Sequence, residues 1–244
     1  MESGYYAAFT ALTSRMEALD LVANNLANVS TTGFRGRHEF YRAVTANLGD
    51  RVLSPLNAAI NDFGVLGGAS IDLRQGNLQS TGNGLDLAVS GPGFFAVQTQ
   101  RGIRYTRNGS FHVNSKGQIV TQQDDPVLGP NGPIQVPDGD LSVSQDGTVS
   151  VNSAVAGQVR LAEFAPGTDL VAEGESSFAA PAGAEKPASN STIEGGMLES
   201  SNLNPVQESV ALMVLQRHSE MLSRTLSIFL NDFDRTAVLD LSRV

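Results

Sequence analysis

The chain has 244 residues, 41% hydrophobic and 17% charged, the balance of a globular protein with room for one large domain or two modest ones. Its net charge of −9 argues against nucleic acid as a partner, because phosphate binding needs a basic surface. With no cysteine there is neither a disulfide framework nor thiol chemistry. The acidity is unevenly spread. The first 48 residues hold four basic and four acidic groups, the last 48 hold four and six, and the middle therefore carries −7 of the total. Nearly neutral ends can pack densely on copies of themselves. The opening MESGYYAAFTALTSRMEALD lacks the basic start and long apolar block of a cleavable signal peptide. No run of 18 apolar residues occurs, so no membrane insertion is expected.

The first element is a helix. Phe9, Leu12, Met16, Leu19, Ala23 and Leu26 recur at spacings of 3, 4, 3, 4 and 3, a heptad seam over nearly three repeats. About 25 residues of helix would run roughly 38 Å. The helix then meets Asn24, Asn25 and Asn28. Asparagine competes for backbone hydrogen bonds and weakens a helix, so either the stretch is a loose helix end or these amides have partners that a lone domain would not supply. Asn28 sits near the C-cap, Ser30, Thr31 and Thr32 can bond locally, and Gly33 offers the positive φ that closes the turn ahead of Phe34. Residues 37–84 show little periodicity and read as an extended, irregular connecting region.

From Leu85 the pattern changes to short Val-, Ile- and Phe-rich runs split by glycine turns: LDLAV (85–89), FFAVQ (94–98), IRYT (103–106), SFHV (110–113), QIVT (118–121), LSVS (141–144), TVSV (148–151) and QVRLAEF (158–164). This is an all-β domain over 85–164. Asn108-Gly109 and Asp146-Gly147 are tight-turn signals, and prolines 126, 130, 133 and 137 exclude a helix. Residues 165–196, rich in Ala, Gly, Ser, Pro and Glu, read as a loop-rich return with one strand at most. Asn204-Pro205-Val206-Gln207 then opens a last helix with an N-cap, an N1 proline and an N3 glutamine. Along it Leu212, Leu215, Leu222, Leu226, Phe229 and Phe233 fall on a/d positions, with Ser219 the polar member. Val210, Val214, Met221 and Ile228 form a second apolar line. A helix with two such lines has more than one neighbour to bury them against. The fold class is α+β: a discontinuous terminal-helix coiled-coil domain (1–36 plus 197–244) with an all-β middle inserted between the helices.

Catalytic chemistry is not written in the chain. His38, His112 and His218 have no metal-ligand spacing. No nucleophile elbow, S-x-x-K or H-E-x-x-H occurs, and GPGFF (91–95) lacks both the dinucleotide fingerprint and the P-loop lysine. Asp138, Asp140 and Asp146 miss the EF-hand spacing. No catalytic residue, cofactor or metal site is assigned. A soluble β-domain hydrolase or binding protein with clasping terminal helices stays open as the alternative.

ANNLANVSTTGF (23–34), QGNLQSTGNGLDLAVSGPGFF (75–95), RYTRNGSF (104–111) and LESSNLNPVQESV (198–210) together resemble the signature blocks of the bacterial flagellar rod and hook axial proteins, in the family's order and over most of the chain. Within that family the length and the middle look most like the proximal-rod members, with the distal-rod members as close rivals. QRHSE (216–220), YYAAFTAL (5–12) and the 165–196 segment depart from the pattern. The resemblance implies a structural subunit without enzymatic activity, exported by the flagellar type III apparatus without signal cleavage. It further implies helical assembly with copies of itself and with other rod proteins into a periplasmic drive shaft. The residues it places at subunit interfaces are Phe9, Leu12, Met16, Leu19, Asn24, Asn25, Leu26, Asn28, Thr31, Thr32, Gly33 and Phe34 in the first arm, with Leu212, Leu215, Leu222, Leu226, Phe229 and Phe233 in the last.

Overall fold

A computed structural model describes residues 2–42, 65–174 and 176–241. Residues 43–64 of the expected connecting region lie outside the described residues. The class is α+β. Helix α1 spans Glu2–Ala27 and helix α2 spans Pro205–Leu241, and between them run short strands. The chain divides into two compact units. One holds residues 1–27, 37–70 and 204–244, and the other holds 28–36 and 71–203.

In the first unit α1 packs along α2. Asn25 meets Glu208, while Leu12 to Asp20 share a groove with Ser219 to Arg224, so the two helices run antiparallel. Strand Arg37–Arg42 pairs with strand Val65–Ile71. The start of α2 is built as its sequence demands. The Asn204 side-chain oxygen accepts from the Val206 and Gln207 amides at 2.9 and 3.3 Å, and Pro205 occupies the position where no donor is needed.

The second unit is the β domain. Its largest sheet has six antiparallel strands in the order 171–173, 177–179, 102–106, 94–99, 161–164, 185–187. Strand Phe94–Thr99 lies inside it, and the two-residue period of a strand sends Phe95 and Val97 to one face and Phe94 and Ala96 to the other. Both faces are covered, which is why FFAV reads as an unbroken apolar run. Phe95 meets Phe111 edge-to-face at 5.1 Å on one side, and Phe94 meets Phe178 at 5.8 Å on the other. A three-stranded sheet of 141–143, 148–151 and 154–158 packs Val149 and Val151 into the Phe95 cluster.

Two local expectations change. The 165–196 segment holds strands 171–173, 177–179, 185–187 and 192–195. Runs of three or four residues carry no readable period, and they owe their extended form to partners far away in sequence, such as Phe178 opposite Tyr105. Pro187 closes the outer edge, where no ladder donor is required. Asp146-Gly147 does turn a hairpin, with Gly147 at φ +83°. Asn108-Gly109 does not: a Cβ on Gly109 would lie 1.7 Å from the Leu87 carbonyl oxygen, so this glycine serves close backbone approach.

Phe95→Ala removes the ring that joins the sheet to Phe111, and unfolding in urea should show a loss of roughly 3–5 kcal/mol with the secondary structure retained at zero denaturant.

Candidate functional site

The buried side chains of α1 are Ser14, Ala18 and Asn25, and Leu12, Met16 and Leu19 of the heptad seam line the groove that α1 shares with α2. Phe9 is 54% and Met16 58% exposed, and Leu12, Leu19 and Leu26 are half-buried. On α2, Leu215 and Leu226 are buried, Leu212 and Leu222 half-buried, and the second apolar line stands out, with Met221 57% and Ile228 60% exposed. The side chains of Phe229 and Phe233 lie outside the described residues. Apolar faces of this size on two adjacent helices are surface that association would bury.

Asn25 corrects an expectation: its partners belong to its own chain. The amide nitrogen donates to the Arg37 carbonyl at 2.8 Å and to Glu208 at 3.3 Å, and its oxygen accepts from the Arg37 amide at 3.1 Å. A buried amide placed here closes the end of α1 onto the next strand, satisfying both backbone groups of Arg37. Asn24, exposed, accepts from the Arg37 guanidinium at 3.2 Å.

Residues 28–36 belong to the β unit. Thr31 bonds back to Asn28 through both its amide and its hydroxyl, Thr32 is half-buried, and Phe34 is buried. Gly33, at φ +68°, has no room for a side chain: a Cβ would lie 2.3 Å from the Asn108 nitrogen. Its amide donates to the Glu199 carbonyl at 2.7 Å. The positive φ expected of Gly33 is present, because turning the chain beside these backbone atoms demands a residue without a side chain.

Around Glu199 the structure assembles a charge cluster that sequence reasoning did not assign. Its carboxylate is wholly buried. One oxygen lies 2.7 Å from Arg35 and accepts from the Gly76 amide at 2.7 Å, and the other lies 3.1 Å from Arg107. Arg107 also donates to the Val89 and Gly91 carbonyls, and its guanidinium sits 4.8 Å from the centre of the Phe94 ring. Burial, then the nearby Arg35 charge, pulls the Arg107 pKa down to about 10, against the opposing pull of Glu199. Asn202 adds a polar clasp, accepting from the Gly36 amide and donating to the Asp72 and Arg74 carbonyls. Arg107 and Glu199 stand inside two of the blocks quoted above, RYTRNGSF and LESSNLNPVQESV, and Arg35 directly follows the block that ends at Phe34. Their burial could not be read from one sequence, because nothing in spacing joins positions 35, 107 and 199.

A cavity of about 480 Å³ opens along the α1–α2 boundary, lined by Leu12, Met16, Leu19 and Asp20 from α1 and by Ser219, Glu220, Ser223 and Arg224 from α2. Among the described residues no cluster of three His, Asp or Glu could hold a metal, and no helix is long and apolar enough to cross a membrane.

Two helices with open apolar faces in one unit, and a self-contained β domain in the other, are the architecture of an assembly protein. Family models agree: residues 6–35 match the flagella basal body rod protein model, 88–151 the flagellar hook protein FlgE/F/G D1 domain, and 194–229 the flagellar basal body rod FlgEFG protein C-terminal model. The flagellar basal-body rod protein FlgF of Caulobacter vibrioides is 32% identical over 250 residues, covering 100% of this chain and 97% of that protein. FlgF of Salmonella typhimurium is 31% identical, covering 93% and 94%. FlgG of Agrobacterium fabrum is 31% identical, covering 90% and 92%. The chain belongs to the flagellar basal-body rod protein family. It is a structural, non-enzymatic subunit of the flagellar rod that assembles with other rod components.

Replacing Glu199 by Ala leaves two arginine charges buried without their anion, and urea unfolding should register a loss of roughly 3–5 kcal/mol. Asn25→Ala strands both backbone groups of Arg37, and the same measurement should show a smaller loss, roughly 1–3 kcal/mol.

Proposed function

We propose that this subunit builds the proximal part of the rod, the position that the family resemblance noted above implies. The terminal helices pair in an inner layer and pack on helices of neighbouring copies, and the β unit forms the outer layer. The mechanism is mechanical. Each copy uses one patch against a different patch on the next, a contact that does not close and so yields a helical shaft. Burial of many apolar arms stiffens that shaft against torque. The observation that carries this reading is the exposure of Phe9 and Met16 on α1 and of Met221 and Ile228 on α2. Export through the flagellar type III apparatus fits the same reading, since helices that gain their partners on assembly can pass unfolded.

Hydrogen exchange on the purified chain, read peptide by peptide, tests it. Peptides from α1 and α2 are expected to exchange far faster than those from 87–164, and to slow once the chain is in isolated basal bodies. Equal protection of helices and β unit in the free chain would mean the helices are satisfied within one copy, and the reading would fall.

A further inference from the structure

The β unit carries three Asn-Gly pairs, at 83–84, 108–109 and 131–132, and the fold treats them differently. In any such pair the glycine amide nitrogen can approach the asparagine side-chain carbon, because no Cβ stands in its way. Two of the pairs are held. Asn83, though exposed, donates to the Asp86 carboxylate at 3.1 Å and accepts from the Leu85 amide at 3.3 Å. Asn108 accepts from the Ser110 amide at 3.1 Å, and Gly109 is buried against the Leu87 carbonyl. Asn131 is different. It stands exposed at the tip of the hairpin that joins strands 128–129 and 132–133, and among the described residues nothing engages its side chain. Gly132, at φ +115°, has no atom within 4 Å of the place a Cβ would take. Asn190 has an equally free amide, but it precedes Ser191, whose side chain is tied to Glu163.

We propose that the fold directs spontaneous deamidation of this chain to Asn131. The Gly132 nitrogen attacks Asn131 Cγ, and a C–N bond forms as the Cγ–Nδ2 bond breaks. Ammonia leaves, carrying the proton that the Gly132 nitrogen gives up. Water then opens the cyclic imide at either carbonyl. Opening at Cγ yields aspartate, whereas opening at the main-chain carbonyl leaves the backbone running through Cγ, an isoaspartate. A water enters and an ammonia leaves, so neither oxidant nor cofactor is needed. Both products put a carboxylate where the sequence has a neutral amide, and isoaspartate also lengthens the backbone by one carbon. The site makes that lengthening matter. The hairpin tip spans only Pro130 and Asn131, with Gly129 opposite Gly132 and Leu128 opposite Pro133. Leu128 is buried in one core cluster and Ile134 in the other, and the Ile134 amide donates to the Val127 carbonyl at 3.1 Å. A longer backbone at 131 shifts this register and weakens that bond.

To test this, the purified full-length chain is incubated at mildly alkaline pH, which favours the deprotonated glycine nitrogen, and its peptides are followed by mass spectrometry. Conversion of amide to acid at Asn131 should run about tenfold faster than at Asn83 or Asn108, the scale of a hydrogen bond that must first open. In concentrated urea the three pairs lose their surroundings, and their rates should converge. The Asn131→Gln chain, whose longer side chain cyclises far more slowly, should match the parent by circular dichroism and stay unconverted at this position. After incubation the Ile134 amide of the parent should exchange with solvent faster than that of the Asn131→Gln chain. Asn83 or Asn108 keeping pace with Asn131 in the folded chain overturns the proposal. So does a lead for Asn131 that survives in urea, since sequence and not fold would then set it. Equal exchange at Ile134 in the two chains overturns the register shift.

Discussion

A carboxylate taken wholly out of water must have its oxygens met by positive or hydrogen-bonding groups, and the β unit is organised around that requirement at Glu199. The groups that meet it come from three separate stretches, at Arg35, Gly76 and Arg107, and the Gly33 amide near Arg35 donates to the Glu199 backbone carbonyl. The cluster is a weak source of net stability, because desolvating three ions offsets most of their attraction. Its effect is on specificity. The Arg35–Glu199 contact ties residues 28–36 to strand 197–199 within the β unit.

This arrangement divides the molecule's labour. The β unit satisfies itself, with both faces of strand Phe94–Thr99 covered and its edges ended by short strands. The helical unit does not. On α1 Ser14, Ala18 and Asn25 are buried, while Phe9 and Met16 stand exposed. A chain that completes its β domain alone and leaves apolar helix faces open carries surface that association would bury.

The family and the broad plan were legible in the residues because they depend on local signals. A heptad run, an Asn-Pro helix start, glycine-punctuated β runs and four motif blocks all act within a dozen positions, and the family assignment and the α+β class agree with them. Less local matters were not legible. The seam Phe9–Leu12–Met16–Leu19 was readable as apolar, but which side of α1 would face α2 was not. Asn25 was readable as an amide in need of partners, but those partners lay twelve residues on and on the far side of the chain.

What the sequence determined by itself is therefore the set of elements and their membership of a rod-protein family, since helix period, strand period and capping are written in neighbouring residues. The tertiary structure alone decided the inward face of α1, the four strands within 165–196, and the union of Arg35, Arg107 and Glu199. Each of these depends on groups far apart along the chain, brought together only when burial makes an unpaired charge or an unfilled ladder too costly to leave.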